Sequence, residues 1–175
     1  MKKFNTKSKL VALPLSLIAA LTLTFSIAFG QKPEENQAPN SSAASERTIQ
    51  GVWQTLVTPR NCQTGQPVAP TFHGLFTFNQ GGTLSEFGVV ANPALRSPGH
   101  GLWQHEQGWS DYSLKFTFLR YDASGVFIGT QKVTATLELG ASGDEFTTNG
   151  SVEVFDASGN LVGMGCATAA GTRFE

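Results

Sequence analysis

Tyr112-Ser113-Leu114-Lys115-Phe116-Thr117-Phe118 sets a large apolar residue at every second position and a polar one between. A period of two belongs to a β-strand with one buried and one solvated face, because a helix returns its apolar residues at spacings of three and four. The same alternation runs through Phe72–Phe78, where Phe72, Gly74, Phe76 and Phe78 share a face. Working outward from these two, eight strand-like runs are expected: Thr48–Thr58, Phe72–Asn79, Thr83–Val90, Gly101–Gln107, Tyr112–Tyr121, Val126–Leu139, Glu145–Phe155 and Leu161–Phe174. Asn79-Gln80-Gly81-Gly82, Asp122-Ala123-Ser124-Gly125, Gly140–Asp144 and Asp156–Asn160 separate them. Gly and Asn tolerate the positive φ of tight hairpins, so these read as turns.

No stretch of this domain has a helical period, so no helix is expected to cover a sheet. Eight strands joined mostly by hairpins leave a two-sheet sandwich or a closed barrel. Closure removes exposed edges. The expected fold is therefore all-β, an eight-stranded antiparallel up-and-down barrel. Tyr121–Gly129 and Phe155–Gly163 are near copies thirty-four residues apart. Two copies at the spacing of two hairpin strands are a turn solution used twice, since a solenoid needs more copies.

The first thirty residues read as a secretory signal peptide. Lys2, Lys3, Lys7 and Lys9 precede an apolar run that ends at Ala28-Phe29-Gly30, a small-x-small cleavage site. The run is also long enough to span a bilayer, so an uncleaved N-terminal anchor is the competing reading. Residues 31–48 are polar, rich in Ser, Ala, Pro and Glu, and read as a flexible linker. Residues 49–175 make one domain. Without residues 1–30 the chain keeps eight Lys and Arg against thirteen Asp and Glu, a net charge of −5. No basic patch is present to hold phosphates, so a nucleic acid is not an expected partner.

Gly51-Val52-Trp53 opens the first strand and Arg173 stands at the end of the last. With eight sequential strands between them, these residues resemble the calycin group: lipocalins, fatty-acid-binding proteins and avidin-like barrels. The resemblance implies a calycin-like barrel in which Trp53 packs across the closed end and Arg173 covers its ring. A guanidinium over an indole is the best cation–π pair. It also implies that the last strand lies antiparallel to the first. With Arg173 level with Trp53, Cys166 then faces position 60, two residues from Cys62, and a structural disulfide is expected between the two cysteines.

The remaining chemistry is sparse. His73, His100 and His105 do not converge with enough carboxylates for a metal site, because His105 and Glu106 point to opposite faces of a strand. No nucleophile elbow or phosphate loop is present, and no catalytic residue or cofactor is assigned. Glu86, Glu106, Glu138, Glu153 and Asp111 are the carboxylates in or beside strands; Glu86 shares a face with Leu84, Gly88 and Val90, and such a carboxylate is either an inward base, a solvated group on the outer face or a partner for Lys115, Arg120 or Lys132. Phe76, Phe78, Phe116, Phe118 and Phe146 alternate in positions suited to a barrel interior. Leu95, in the Pro- and Gly-containing loop Asn92–His100, and Trp103 complete the candidate ligand-binding set. Either these side chains fill the barrel or they line a site for one small molecule. Gly163, Gly165, Ala167, Ala169 and Gly171 share a face of the last strand and leave space on one wall, for a Phe or for a ligand.

The expected protein is exported, secreted or periplasmic, and non-catalytic. It binds a small apolar or amphipathic molecule. Two alternatives stand beside this: an envelope or surface protein with a filled barrel, and a barrel isomerase or cyclase of the allene-oxide-cyclase kind with an inward Glu as base. The long loops Pro59–Pro70 and Asn92–His100 and both Asp-Ala-Ser-Gly turns are expected together at the open end.

Overall fold

The computed structural model describes residues 48–89 and 92–174. The expected signal peptide, residues 1–30, and residues 31–47 of the expected linker lie outside the described residues. The strands are β1 (Gly51–Arg60), β2 (Phe72–Phe78), β3 (Thr83–Gly88), β4 (Gly99–His105), β5 (Asp111–Tyr121), β6 (Phe127–Leu139), β7 (Glu145–Asp156) and β8 (Leu161–Arg173). Each pairs antiparallel with the next, and β8 pairs with β1 to close the barrel. The architecture is the eight-stranded up-and-down barrel expected from the alternation, and it is compatible with a calycin-like plan.

Closure has the expected register. Trp53 pairs with Arg173, and seven steps further on Arg60 pairs with Cys166. Cys62 reaches Cys166 with a Cα–Cα distance of 5.2 Å, and the two form a disulfide. One end of the barrel, the base, is packed solid. Trp53 and Ile49 are fully buried there, with Phe78, Leu84, Leu139 and Phe146 around them. The Trp53 and Phe146 rings meet edge to face at 4.9 Å. Arg173 lies over the Trp53 ring, 4.3 Å from its centroid. Its guanidinium donates to the carbonyls of Thr48, Gln50 and Gly143, so it ties the entry of β1 to the β6–β7 turn.

Most strand ends shift by one or two residues from the sequence reading, and two strand starts, those of β1 and β4, move by more than one. Thr48–Gln50 precede β1 instead of joining it, because their carbonyls serve Arg173 and Trp53 instead of a neighbouring strand. β4 begins at Gly99, not Gly101, and Gly99 pairs with Glu86. The loop before it makes a single 3-10 turn, Pro93–Leu95, with the Asn92 side chain accepting from the Ala94 N–H.

The two Asp-Ala-Ser-Gly hairpins share one solution. Asp122 Oδ1 accepts from the N–H groups of Ser124 and Val126, and Asp156 Oδ1 from those of Ser158 and Asn160. Gly125 and Gly159 take φ of 83° and 85°, where a Cβ would be strained. A register shift sits beside each turn, at Arg120/Tyr121 and Val154/Phe155. The hydrogen bonds hold both carboxyls below their ordinary range, chiefly through the Ser124 side chain at Asp122 and the Asn160 side chain at Asp156.

Candidate functional site

The wall of small residues on β8 has two fates along its length. Near the base, Gly171 faces the Phe146 ring so closely that any Cβ would overlap it, and the phenylalanine fills that space. Nearer the other end, Gly165, Ala167 and Ala169 have no such partner and line a cavity of about 440 Å³. The inward faces of β5 and β6 add apolar wall through Leu114, Phe116, Phe118 and Val133, and β2 adds Phe76. Val68, Asn92 and Leu95, from the β1–β2 and β3–β4 connections, reach it from the mouth. Meander order places those two connections and both Asp-Ala-Ser-Gly turns at the same end, because β1, β3, β5 and β7 all run from base to mouth.

The candidate residues divide along this axis. Phe76, Phe116, Phe118 and Leu95 line the cavity. Phe78, Phe146 and Trp103 are brought together at the base, with ring centroids 6.1 Å apart for Phe78–Phe146 and 6.2 Å for Phe78–Trp103. Trp103 is anchored by its indole N–H, which donates to the Asn79 carbonyl at 3.0 Å. Trp53 and Arg173 form the floor, and the Cys62–Cys166 bridge ties the mouth end of β8 to the chain leaving β1.

One charged pair faces the cavity from within the wall. Glu86 is 4 % exposed and is the single buried carboxylate among the described residues. Arg96 Nη2 donates to its Oε2, and the Arg96 guanidinium lies 3.6 Å from the centroid of the Phe118 ring. Gly88 and Gly99 make the room: a Cβ at either would fall within 2.9 Å of a Glu86 carboxylate oxygen. Burial raises the Glu86 pKa, and the charge and hydrogen bond of Arg96 offset only part of that rise. A buried pair of this kind contributes little net stability, because desolvation consumes most of the Coulombic gain. Perturbed carboxylates in clefts are a mark of functional sites.

Alternation placed Glu86 on one face with Leu84 and Gly88 and left its direction open, and Arg96 was not anticipated. It sits in a loop, where no periodicity assigns a direction. Its one signal was being the only Lys, Arg, Asp or Glu in Asn92–His100. Among the described residues the other carboxylates are not buried; Glu153 pairs with a half-exposed Lys132 at 3.2 Å. His105 meets the Tyr112 ring edge to face, with centroids 4.9 Å apart. Among the described residues no His, Cys, Asp or Glu group is arranged to hold a metal ion, and no helix is long and apolar enough to cross a membrane. Compared with known proteins, the chain matches no family model and no curated protein.

Proposed function

We propose that the barrel binds one small apolar or amphipathic molecule in its upper half and does not transform it. The observation that carries this reading is the cavity of about 440 Å³, walled by Phe76, Leu114, Phe116 and Val133 and by the small residues of β8. Ligand sites are typically apolar clefts of about 300–1,000 Å³ with a few placed polar groups, here Glu86 and Arg96. An unfilled volume of this size argues against the filled-barrel alternative. The solid base and the apolar interior favour a calycin-like carrier. The disulfide is of the kind that persists in oxidising compartments, which supports export led by residues 1–30.

Gly165 supplies the test. The nearest atom to a Cβ built there is 3.9 Å away, so a larger side chain has room to enter the cavity. Wild type should take up a neutral apolar dye such as Nile red in one-to-one stoichiometry, and Gly165→Phe should not, with unchanged thermal stability. Equal uptake by both proteins, or none by either, contradicts the reading.

A second reading keeps Glu86 as a general base with Arg96 stabilising the developing negative charge, as an isomerase or cyclase would need. It is favoured by the raised pKa of a carboxylate on the cavity wall. A ligand recovered chemically unchanged after prolonged incubation with the protein separates the carrier from the enzyme.

A further inference from the structure

We propose that the polar end of the ligand is an anion, a carboxylate in the simplest case, held at the mouth between Arg96 and Arg120. This rests on the cavity being the binding site and adds the charge of what it binds. Arg120 continues the inward face of β5, two residues beyond Phe118 and four beyond Phe116, and it lines the cavity. Its backbone forms an antiparallel bridge with that of Arg96, so both side chains start from one corner of the rim.

Glu86 occupies only part of this corner's donor capacity. Arg96 spends Nη2 on Glu86 and Nε on the Ser97 carbonyl. Among the described residues, Arg96 Nη1 and every side-chain nitrogen of Arg120 have no hydrogen-bond partner, and Arg120 joins no salt bridge. A guanidinium offers five N–H donors and stays charged at any working pH. These donors are not buried orphans but stay within reach of solvent at the open rim, free to take an incoming anion, and a carboxylate matches the planar fork in geometry and sign. The two arginines and the one carboxylate leave this corner at +1. Arg60, on the rim and bonded to Thr168 and to the Gly65 carbonyl, adds to the positive potential. A cationic head group would find Glu86 already paired and enclosed by Gly88 and Gly99. The bound molecule is then an amphiphile with its head at the rim and its apolar tail among Phe76, Phe116 and Val133.

Titration calorimetry of the purified protein at low salt with decanoate, decan-1-ol and decyltrimethylammonium, all below micellar concentration, tests this. Decanoate should bind about tenfold to hundredfold more tightly than decan-1-ol, with decyltrimethylammonium weakest. Arg120→Gln should bring the decanoate-to-decanol ratio towards unity, while Arg120→Lys keeps an intermediate ratio; near-ultraviolet dichroism checks that both variants are folded. Equal affinity for the three probes, or a ratio unmoved by Arg120→Gln, overturns the anion site and leaves the cavity reading standing. Failure of all three to bind overturns both.

Discussion

Replacing Arg173 with Ala should destabilise the protein by about 3–4 kcal/mol, a loss built from separate contacts. The cation–π contact with a fully buried Trp53 contributes roughly 1–2 kcal/mol, at the desolvated end of its range. The carbonyls of Thr48, Gln50 and Gly143 each lose a charged donor at 2.6–2.8 Å. The Arg173 side chain is 23 % exposed, so water replaces part of each bond, and about 0.5–1 kcal/mol apiece is a fair net value. The Asp144 pair adds almost nothing, because Asp144 is 65 % exposed. Urea denaturation should show a lower midpoint at unchanged slope, and the melting temperature should fall by roughly 12–15 °C. Arg173→Lys should recover less than half, since an ammonium lacks the planar fork that spans three carbonyls. A double-mutant cycle with Trp53→Phe should give a coupling of about 1 kcal/mol or more. A loss below about 1 kcal/mol for Arg173→Ala, or no coupling, would refute the claim that this contact closes the barrel.

Removing the disulfide by Cys62→Ser with Cys166→Ser should cost about 4.7 kcal/mol in the chain-entropy model, given a separation of 104 residues; thiol titration of denatured, unreduced protein should find no free thiol. Arg96→Met strands Glu86 in the wall and should cost about 3–5 kcal/mol in urea unfolding, whereas Glu86→Met with Arg96→Met should return to within about 1 kcal/mol of wild type or exceed it. Because burial lifts the folded pKa of Glu86 above its ordinary 4.5, the folded state holds this proton more tightly than the unfolded chain does. Its contribution is full below the unfolded pKa and is lost as pH rises through the folded one. The stability of wild type relative to Glu86→Gln should therefore fall with rising pH across that window, by at most about 1.4 kcal/mol per unit, and level off above it.

Strand content was legible from a period of two, closure from the removal of exposed edges, and the pairing of the chain ends from the resemblance to calycin barrels. Setting Trp53 against Arg173 was enough to carry Cys166 to Arg60, as found. Occupancy of the interior was not legible, since alternation says which residues face inward and nothing of how their volumes meet. Phe146 and Phe116 look equivalent in sequence, yet one fills the space over Gly171 and the other borders open volume. Trp103 is an inward aromatic like Phe118, but its strand enters the base and its indole is tied to Asn79. Arg96 was hidden because a loop side chain takes its direction from tertiary contacts, here Glu86 and the Phe118 ring. Gly88 and Gly99 supply the room that pair needs, but a glycine in a strand has several meanings and alone does not announce it.

The central claim is that the cavity above Phe76 and Phe116 is a binding site, and native mass spectrometry of protein purified without detergent from its own source tests it most directly. The account predicts a single adduct of small-molecule mass that is released on unfolding, extracts into organic solvent, and is missing from Gly165→Phe prepared in the same way. Protein that carries no adduct and takes up no apolar dye, or an adduct retained at full occupancy by Gly165→Phe, would contradict it.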